Sequence, residues 1–189
     1  MPLTQLETIN TALIKLGGFK ITALNDGSAE ADIAAALYPP VRDALLSYYP
    51  WGFAVAQVIL NTPSTPPVAD YTYAFALPND HLRTLSIGTG GHGGGGSYRL
   101  AGNRIETNLP EITLTYIQRV SETAQTPSFD LVLIAKLAAE MCVPLTENAS
   151  RAEILYRLSE QELARARSID AQQDTPQRLN RFSLIDARG

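Results

Sequence analysis

Few side chains in this sequence could act in catalysis or bind a metal ion, and those few are widely spaced. His81 and His92 stand far apart, with no cysteine or carboxylate at ligand spacing, whereas a zinc site needs three or four convergent ligands. Asp80 precedes His81 and offers an acid–base pair, but no nucleophile and no third group to orient the histidine lie nearby in the sequence. We interpret Asp80 as a cap of the turn that leaves a strand. We therefore predict no catalytic and no metal-binding residue.

A glycine-rich run at 88–96 contains the pattern G-x-G-x-x-G. A dinucleotide or phosphate site needs this pattern to open a helix, whose N-terminal amides hold the anion. Here the glycines lead into Ser97 and Tyr98, which begin a predicted strand, so the run is interpreted as a flexible surface loop. Cys142 lies in the most apolar predicted helix and is interpreted as a small buried hydrophobe. We predict no cofactor.

The composition indicates a folded, mildly acidic protein. The chain has 189 residues, 45% of them hydrophobic, and a formal net charge of −4. This charge argues against a protein that coats nucleic acid, because phosphate neutralisation needs clustered Lys and Arg. The single cysteine allows no intrachain disulfide, which fits an intracellular assembly site. We expect no signal peptide, because the first residues contain no basic stretch followed by an apolar run. We expect no membrane association, because no uninterrupted apolar segment is long enough to span a membrane.

The predicted secondary structure of the chain is organised around an aromatic corner at 45–60. Pro50 should end the preceding helix near Tyr49, and the run from Val55 reads as a strand. Trp51 and Phe53 would plug the corner between helix and strand, since aromatic side chains dominate core energetics. Pro50, Trp51 and Phe53 are therefore predicted as a structural corner, although Trp51 taken alone is interpreted as a core anchor.

Periodicity and capping signals predict four helical segments. Apolar residues recur at steps of three and four in the first, which Gly17 and Gly18 should end. Ser28 should cap the second, with a kink or break at Pro39–Pro40 before it resumes. Thr126 should cap a nearly all-apolar third helix, buried on most faces or at a subunit interface, that ends at Pro144. A capping box of Ser150 and Glu153 should begin the fourth, which reaches about Gln172.

Between the second and third helices the pattern changes to short strands of a small antiparallel sheet, with a hairpin turn at 101–104. The predicted strands are 55–60, 71–77, 84–88, 97–101, 104–106 and 112–118. The expected fold class is α+β: a helical body from 1–53 and 120–173, and an inserted β lobe at 54–119 with its glycine-rich loop at 88–97. A polar C-terminal tail at 174–189 completes the chain.

Several pieces of the sequence resemble, in order and spacing, the head–tail adaptor (connector) proteins of tailed bacteriophages, the family that includes tail tubular protein A. The pieces are ALIKLG (12–17), ITALND (21–26), YP (38–39) with VRDALL (41–46), PWGFA (50–54) and YAFALPND (73–80). The region over which these pieces follow one another, 12–82, is more than a third of the chain. The two later helices and the tail fit more loosely.

The resemblance implies a structural protein of the virion neck, made in the host bacterial cytoplasm, rather than an enzyme. Such adaptors form a dodecameric ring below the portal protein, carry the next tail or neck protein and enclose the channel through which genomic DNA leaves. A ring needs head-to-tail contacts that close on themselves. A slightly acidic lining would let DNA pass without specific binding.

The tail is predicted to dock on the portal, because apolar anchors beside arginines are typical of binding hot spots. The predicted docking residues are Arg178, Arg181, Phe182, Leu184, Ile185 and Arg188. The alternative for the tail is a disordered end without function. Two other functions remain open for the chain: a small hydrolase-like enzyme that uses Asp80 and His81, and a cellular protein-binding module.

Overall fold

A computed structural model describes residues 2–61, 63–88 and 96–173. Over these residues the chain has an α+β fold of four α-helices and two three-stranded antiparallel sheets. The helices are α1 (Gln5–Lys15), α2 (Ala29–Tyr48), α3 (Pro127–Thr146) and α4 (Ala149–Ala171). The strands are β1 (Val55–Leu60), β2 (Tyr73–Ala76), β3 (His81–Gly88), β4 (Tyr98–Ala101), β5 (Arg104–Thr107) and β6 (Ile112–Gln118).

The N-terminal helix α1 is held by local polar contacts at both ends. Thr4 and Glu7 form a capping box, in which the Glu7 amide donates to the Thr4 hydroxyl over 3.2 Å. The helix ends before Gly17, whose φ of +72° is favourable for glycine, so the predicted stop is confirmed. The amide side chain of Asn10 then pairs with both backbone groups of Ile21, which fixes the connector to α2.

Helix α2 begins as predicted but is not broken. The Ser28 hydroxyl accepts from the Ala31 amide over 3.2 Å, which confirms the cap. Of the kink or break expected at Pro39–Pro40, the break is wrong, because the helix runs without interruption to Tyr48. Ala35 and Ala36, four positions before the prolines, are exposed. Water can therefore reach the carbonyls that lose their backbone donors, which lowers the cost of the prolines.

Helix α3 is the buried centre of the helical body, as predicted for a helix that is apolar nearly all round. The Thr126 hydroxyl accepts from the Phe129 amide, and Pro127 opens the helix, so the predicted start is confirmed. The predicted stop at Pro144 is wrong, because α3 continues to Thr146. Only part of the last turn follows this proline. The Thr146 hydroxyl donates to the Cys142 carbonyl over 2.6 Å, which adds a hydrogen bond at the end of the helix, where backbone carbonyls lack helical donors.

Helix α4 returns antiparallel to α3 after a left-handed Glu147, with φ of +53°. The predicted capping box of Ser150 and Glu153 is wrong, because the helix begins earlier, at Ala149. Asn148 is the cap, and its side-chain oxygen accepts from the Arg151 amide over 2.9 Å. An asparagine at this position satisfies an amide of the first turn in the same way as a serine would.

The strands form two sheets rather than the one small sheet expected. Their orders are β1-β6-β3 and β2-β5-β4, with all pairs antiparallel. The buried faces of the sheets share one cluster, in which Phe75 and Ile105 pack with Ile112 and Leu114. Two layers bury apolar faces that a single small sheet would leave exposed. The predicted turn at 101–104 is confirmed, with Gly102 at φ of +60°.

Strand β6 connects the two hydrophobic clusters of the molecule. Ile112, Leu114 and Tyr116 belong to the cluster between the sheets, as their predicted alternation indicated. Ile117 faces the other way and is buried in the larger cluster around α3. The strand expected to be half-buried is thus covered on both faces at its C-terminal end, where it meets the helices.

Candidate functional site

The aromatic corner joins three helices to the first strand. Trp51 is fully buried, and its indole Nε1 donates to the Leu45 carbonyl over 2.9 Å. This carbonyl is in the last turn of α2, where backbone acceptors lack helical donors. The Trp51 ring lies edge-on to Phe129 of α3 at 5.2 Å, and it also contacts Phe53 at 6.2 Å. The tryptophan therefore both fills the core and completes the end of α2.

The neighbouring residues bring the end of α4 to the same corner. The Gly52 amide donates to the Asp170 carboxylate over 3.1 Å. The Arg167 guanidinium stacks over Tyr48 and Tyr49, with 5.2 Å to the Tyr49 ring. Pro50, the other predicted corner residue, is exposed and follows the end of α2. The C-terminal end of α4 thus lies beside the corner.

A charged cluster lies where α2 meets the segment after β6. Arg42 pairs with Glu122 over 2.9 Å, and Arg119 pairs with Asp43 over 2.6 Å. The Tyr38 hydroxyl donates to the same Glu122 carboxylate over 3.2 Å. Burial, followed by the negative charge of Glu122, raises the pKa of Tyr38, so this phenol stays protonated at neutral pH. Every group of this cluster has an internal partner, which indicates a structural role.

The Asp80–His81 pair has a different geometry from a hydrolytic site. The Asp80 carboxylate accepts from the Tyr116 hydroxyl over 3.2 Å, and the His81 ring stacks on Tyr116. His81 Nε2 lies 2.9 Å from the Thr84 hydroxyl, a neighbour that the sequence analysis missed although it is three positions away. Burial lowers the pKa of His81. Because Asp80 is held by Tyr116, this arrangement supports the end of β6 more directly than it supports catalysis.

An open apolar groove lies between α2 and α4, with α3 as its floor. Its volume is about 470 Å³. The side chains from α2 recur at three- and four-residue spacing, and α3 and α4 supply its charged residues. The lining residues are Leu37, Pro40, Val41, Ala44, Leu45, Tyr48, Lys136, Glu140, Glu160 and Leu163.

The polar side chains of the groove are tied to one another along one wall. Lys136 lies 3.5 Å from Glu160 and 4.8 Å above the Tyr156 ring. The Tyr156 hydroxyl donates to Glu140 over 2.7 Å. Burial and this carboxylate raise the pKa of Tyr156 to about 12. The opposite wall, formed by α2, is apolar, so the groove suits an amphipathic protein segment better than a small polar substrate.

This groove was not predicted from the sequence, although part of its pattern is present there. Leu37, Val41, Ala44 and Tyr48 lie on one face of α2, at spacings of three and four. No role was predicted for that face from the sequence. Only the position of α4 shows that part of it stays uncovered.

Some of the other predicted features lie outside the part of the chain that the structure describes. The docking residues Arg178, Arg181, Phe182, Leu184, Ile185 and Arg188 lie outside the described residues, as do 89–95 of the glycine-rich loop. Within 2–61, 63–88 and 96–173, no three His, Cys, Asp or Glu side chains are arranged to hold a metal ion. None of the helices over that same part of the chain is both long and apolar enough to cross a membrane.

Comparisons with known proteins do not assign this arrangement to a family. No protein-family model matches the chain. No curated protein matches it either.

Proposed function

We propose that this chain is a structural head–tail adaptor of a tailed phage or phage-like particle. In this proposal, copies of the chain form a ring, dodecameric by resemblance, between the portal protein and the next tail or neck protein. The ring encloses the channel through which genomic DNA leaves, and the protein acts in the neck of the virion. Its role is to hold other proteins in place rather than to transform a substrate.

The observation that carries the proposal is the packing of the segments that resemble the adaptor family. Leu13 of ALIKLG, Leu46 of VRDALL and Trp51 of PWGFA are buried in one hydrophobic cluster. Phe75 and Leu77 of the last segment are buried in the cluster between the sheets. These segments therefore contribute buried residues to both hydrophobic clusters of the fold, as positions that specify a shared fold should.

The surfaces of the helical body also fit an assembly protein. The groove between α2 and α4 is apolar on one wall and has no covering element over the described part of the chain. A contiguous apolar surface that stays uncovered is typical of a site for protein contacts, and the groove is such a surface.

The proposal is tested by co-expression with the portal protein encoded in the same genome. After sedimentation of the portal rings, we expect this chain to be recovered with them in a fixed ratio. A double charge reversal of a remote ion pair in the β lobe, Arg99→Glu with Glu106→Arg, is a matched control that should leave recovery unchanged. A chain that stays entirely in the supernatant, at concentrations where it is folded, contradicts the proposal.

A further inference from the structure

The exposed side of α4 carries a second apolar stripe, separate from the face that packs on α3. Ile154, Leu158 and Ile169 are 58%, 48% and 43% exposed. Their spacing of four and eleven residues places them on one side of the helix, within about 60° by helical geometry. The buried residues of α4, such as Ser159 and Leu163, lie on another face. We call Ile154, Leu158, Arg165 and Ile169 the α4 stripe.

The charge along this stripe is basic. Arg165 lies between the apolar residues, and Arg151 and Arg157 flank them on either side, all three exposed. Arg157 and Arg165 contact Glu153 and Glu162 only at the surface, where such pairs contribute little. Arg157 and Arg165 are therefore available to a carboxylate of a partner, whereas Arg151 already donates to the Lys15 carbonyl over 3.1 Å.

The groove between α2 and α4 has the complementary character. Glu160 on its wall is 61% exposed, whereas its partner Lys136 is 25% exposed. The carboxylate thus stands at the rim of the groove, while the ammonium lies deeper, over the Tyr156 ring. The rim of the groove offers an acidic group beside an apolar wall.

The groove and the stripe lie on opposite sides of the same helix. With 3.6 residues per turn, Glu160 and Leu163 of the groove are each about 150° around the axis from the centre of the stripe. A subunit with two different complementary surfaces on opposite flanks makes head-to-tail contacts. Pairing groove to groove would bring two acidic rims together, and pairing stripe to stripe would bring two basic surfaces together, so like charge disfavours both symmetric arrangements.

We propose that the groove of one copy receives the α4 stripe of a second copy, with Arg165 close to Glu160. The occupant of the groove is thus the outer face of α4 from the neighbouring chain. This inference rests on the proposed ring, and it names the surfaces that build it. Leu158 and Ile154 fill the apolar space beside Ala44 and Val41, while the arginines meet the acidic rim.

Charge reversal tests the inference in the full-length chain. Glu160→Arg and Arg165→Glu each place like charges across the contact, so we expect self-association at least tenfold weaker for each variant alone. Mixing the two variants should restore association, because each chain then pairs its altered surface with an opposite charge on the other chain. Sedimentation velocity over a concentration series measures both effects.

Two controls separate this contact from damage to the fold. Arg104→Glu makes the same charge change at an exposed site on β5 and should associate like the wild type. Thermal unfolding followed by circular dichroism should show that all variants remain folded, since the side chains of Glu160 and Arg165 are 61% and 75% exposed.

The outcomes distinguish this inference from the proposed function. The groove–stripe contact is overturned if either single variant associates like the wild type, or if a mixture of the two variants does not regain association. The adaptor role still stands in that case, provided that portal rings bind the chain. A wild-type chain that stays monomeric at its highest attainable concentration also overturns the contact. Failure of the wild type to bind portal rings overturns the adaptor role itself.

Discussion

Replacing Trp51 tests whether the aromatic corner holds the molecule together. The indole is fully buried, contacts Phe129 and Phe53, and donates a hydrogen bond to the Leu45 carbonyl. Trp51→Ala removes all of these contacts from the place where α2 turns into β1. Trp51→Phe keeps an aromatic ring but leaves the carbonyl without its donor.

The structure sets the expected sizes of the two effects. Removing a large buried aromatic side chain costs about 3–5 kcal/mol in the free energy of unfolding. A buried carbonyl left without a donor costs about 1–3 kcal/mol. Trp51→Phe should therefore lose about 1–3 kcal/mol, less than Trp51→Ala, with the difference reporting the ring contacts.

Urea unfolding followed by circular dichroism measures both variants against the wild type, with the change in midpoint converted through the slope. Phe19→Ala serves as the control, because this aromatic side chain is 85% exposed and its loss should change stability by less than about 0.5 kcal/mol. If Trp51→Ala costs no more than Phe19→Ala, or if the fluorescence of Trp51 is that of a fully hydrated indole, the organising role of the corner is refuted.

Three further predictions concern other parts of the chain. Deleting 174–189 should leave a folded protein that no longer sediments with portal rings, and normal co-sedimentation would move the docking site to the helical body. Shortening the loop at 88–97 to two residues should leave the melting temperature almost unchanged, since glycines carry a high ordering cost, and a collapse of stability would show that the loop supports the fold. Burial raises the pKa of Asp130, so the folded state holds this proton more tightly than the unfolded state and the charged carboxylate is destabilising at pH 7. Asp130→Asn should thus have a larger free energy of unfolding than the wild type at pH 7, and this advantage should shrink as the pH falls through the raised pKa. Urea unfolding at several pH values measures the difference in stability, and a difference that does not change with pH would contradict the prediction.

The sequence predicted those features whose causes are local. Ser28 and Thr126 were recognised as caps because a hydroxyl before an apolar-periodic segment satisfies amides of its own first turn. The alternation of buried and partly exposed residues in β6 was also predicted, because it depends only on which side of the strand each residue faces. The α+β class followed from the order of these local signals.

Features that depend on distant partners were not predictable from the same patterns. Pro39–Pro40 and Pro144 were expected to interrupt helices, but packing and solvent access outweigh the loss of single backbone donors. Alternation shows which side of a strand is buried, not what covers it, so the second sheet and the burial of Ile117 were missed. The groove required the position of α4 beside α2.

In the proposed function, many copies of this chain form a closed ring that binds the portal. Electron microscopy of the chain mixed with portal rings, followed by classification of views along the ring axis, tests this arrangement. We expect a dodecameric ring of this chain stacked on the portal, with an open central channel. Portal rings without added density, together with a chain that remains monomeric in the same sample, would refute the ring.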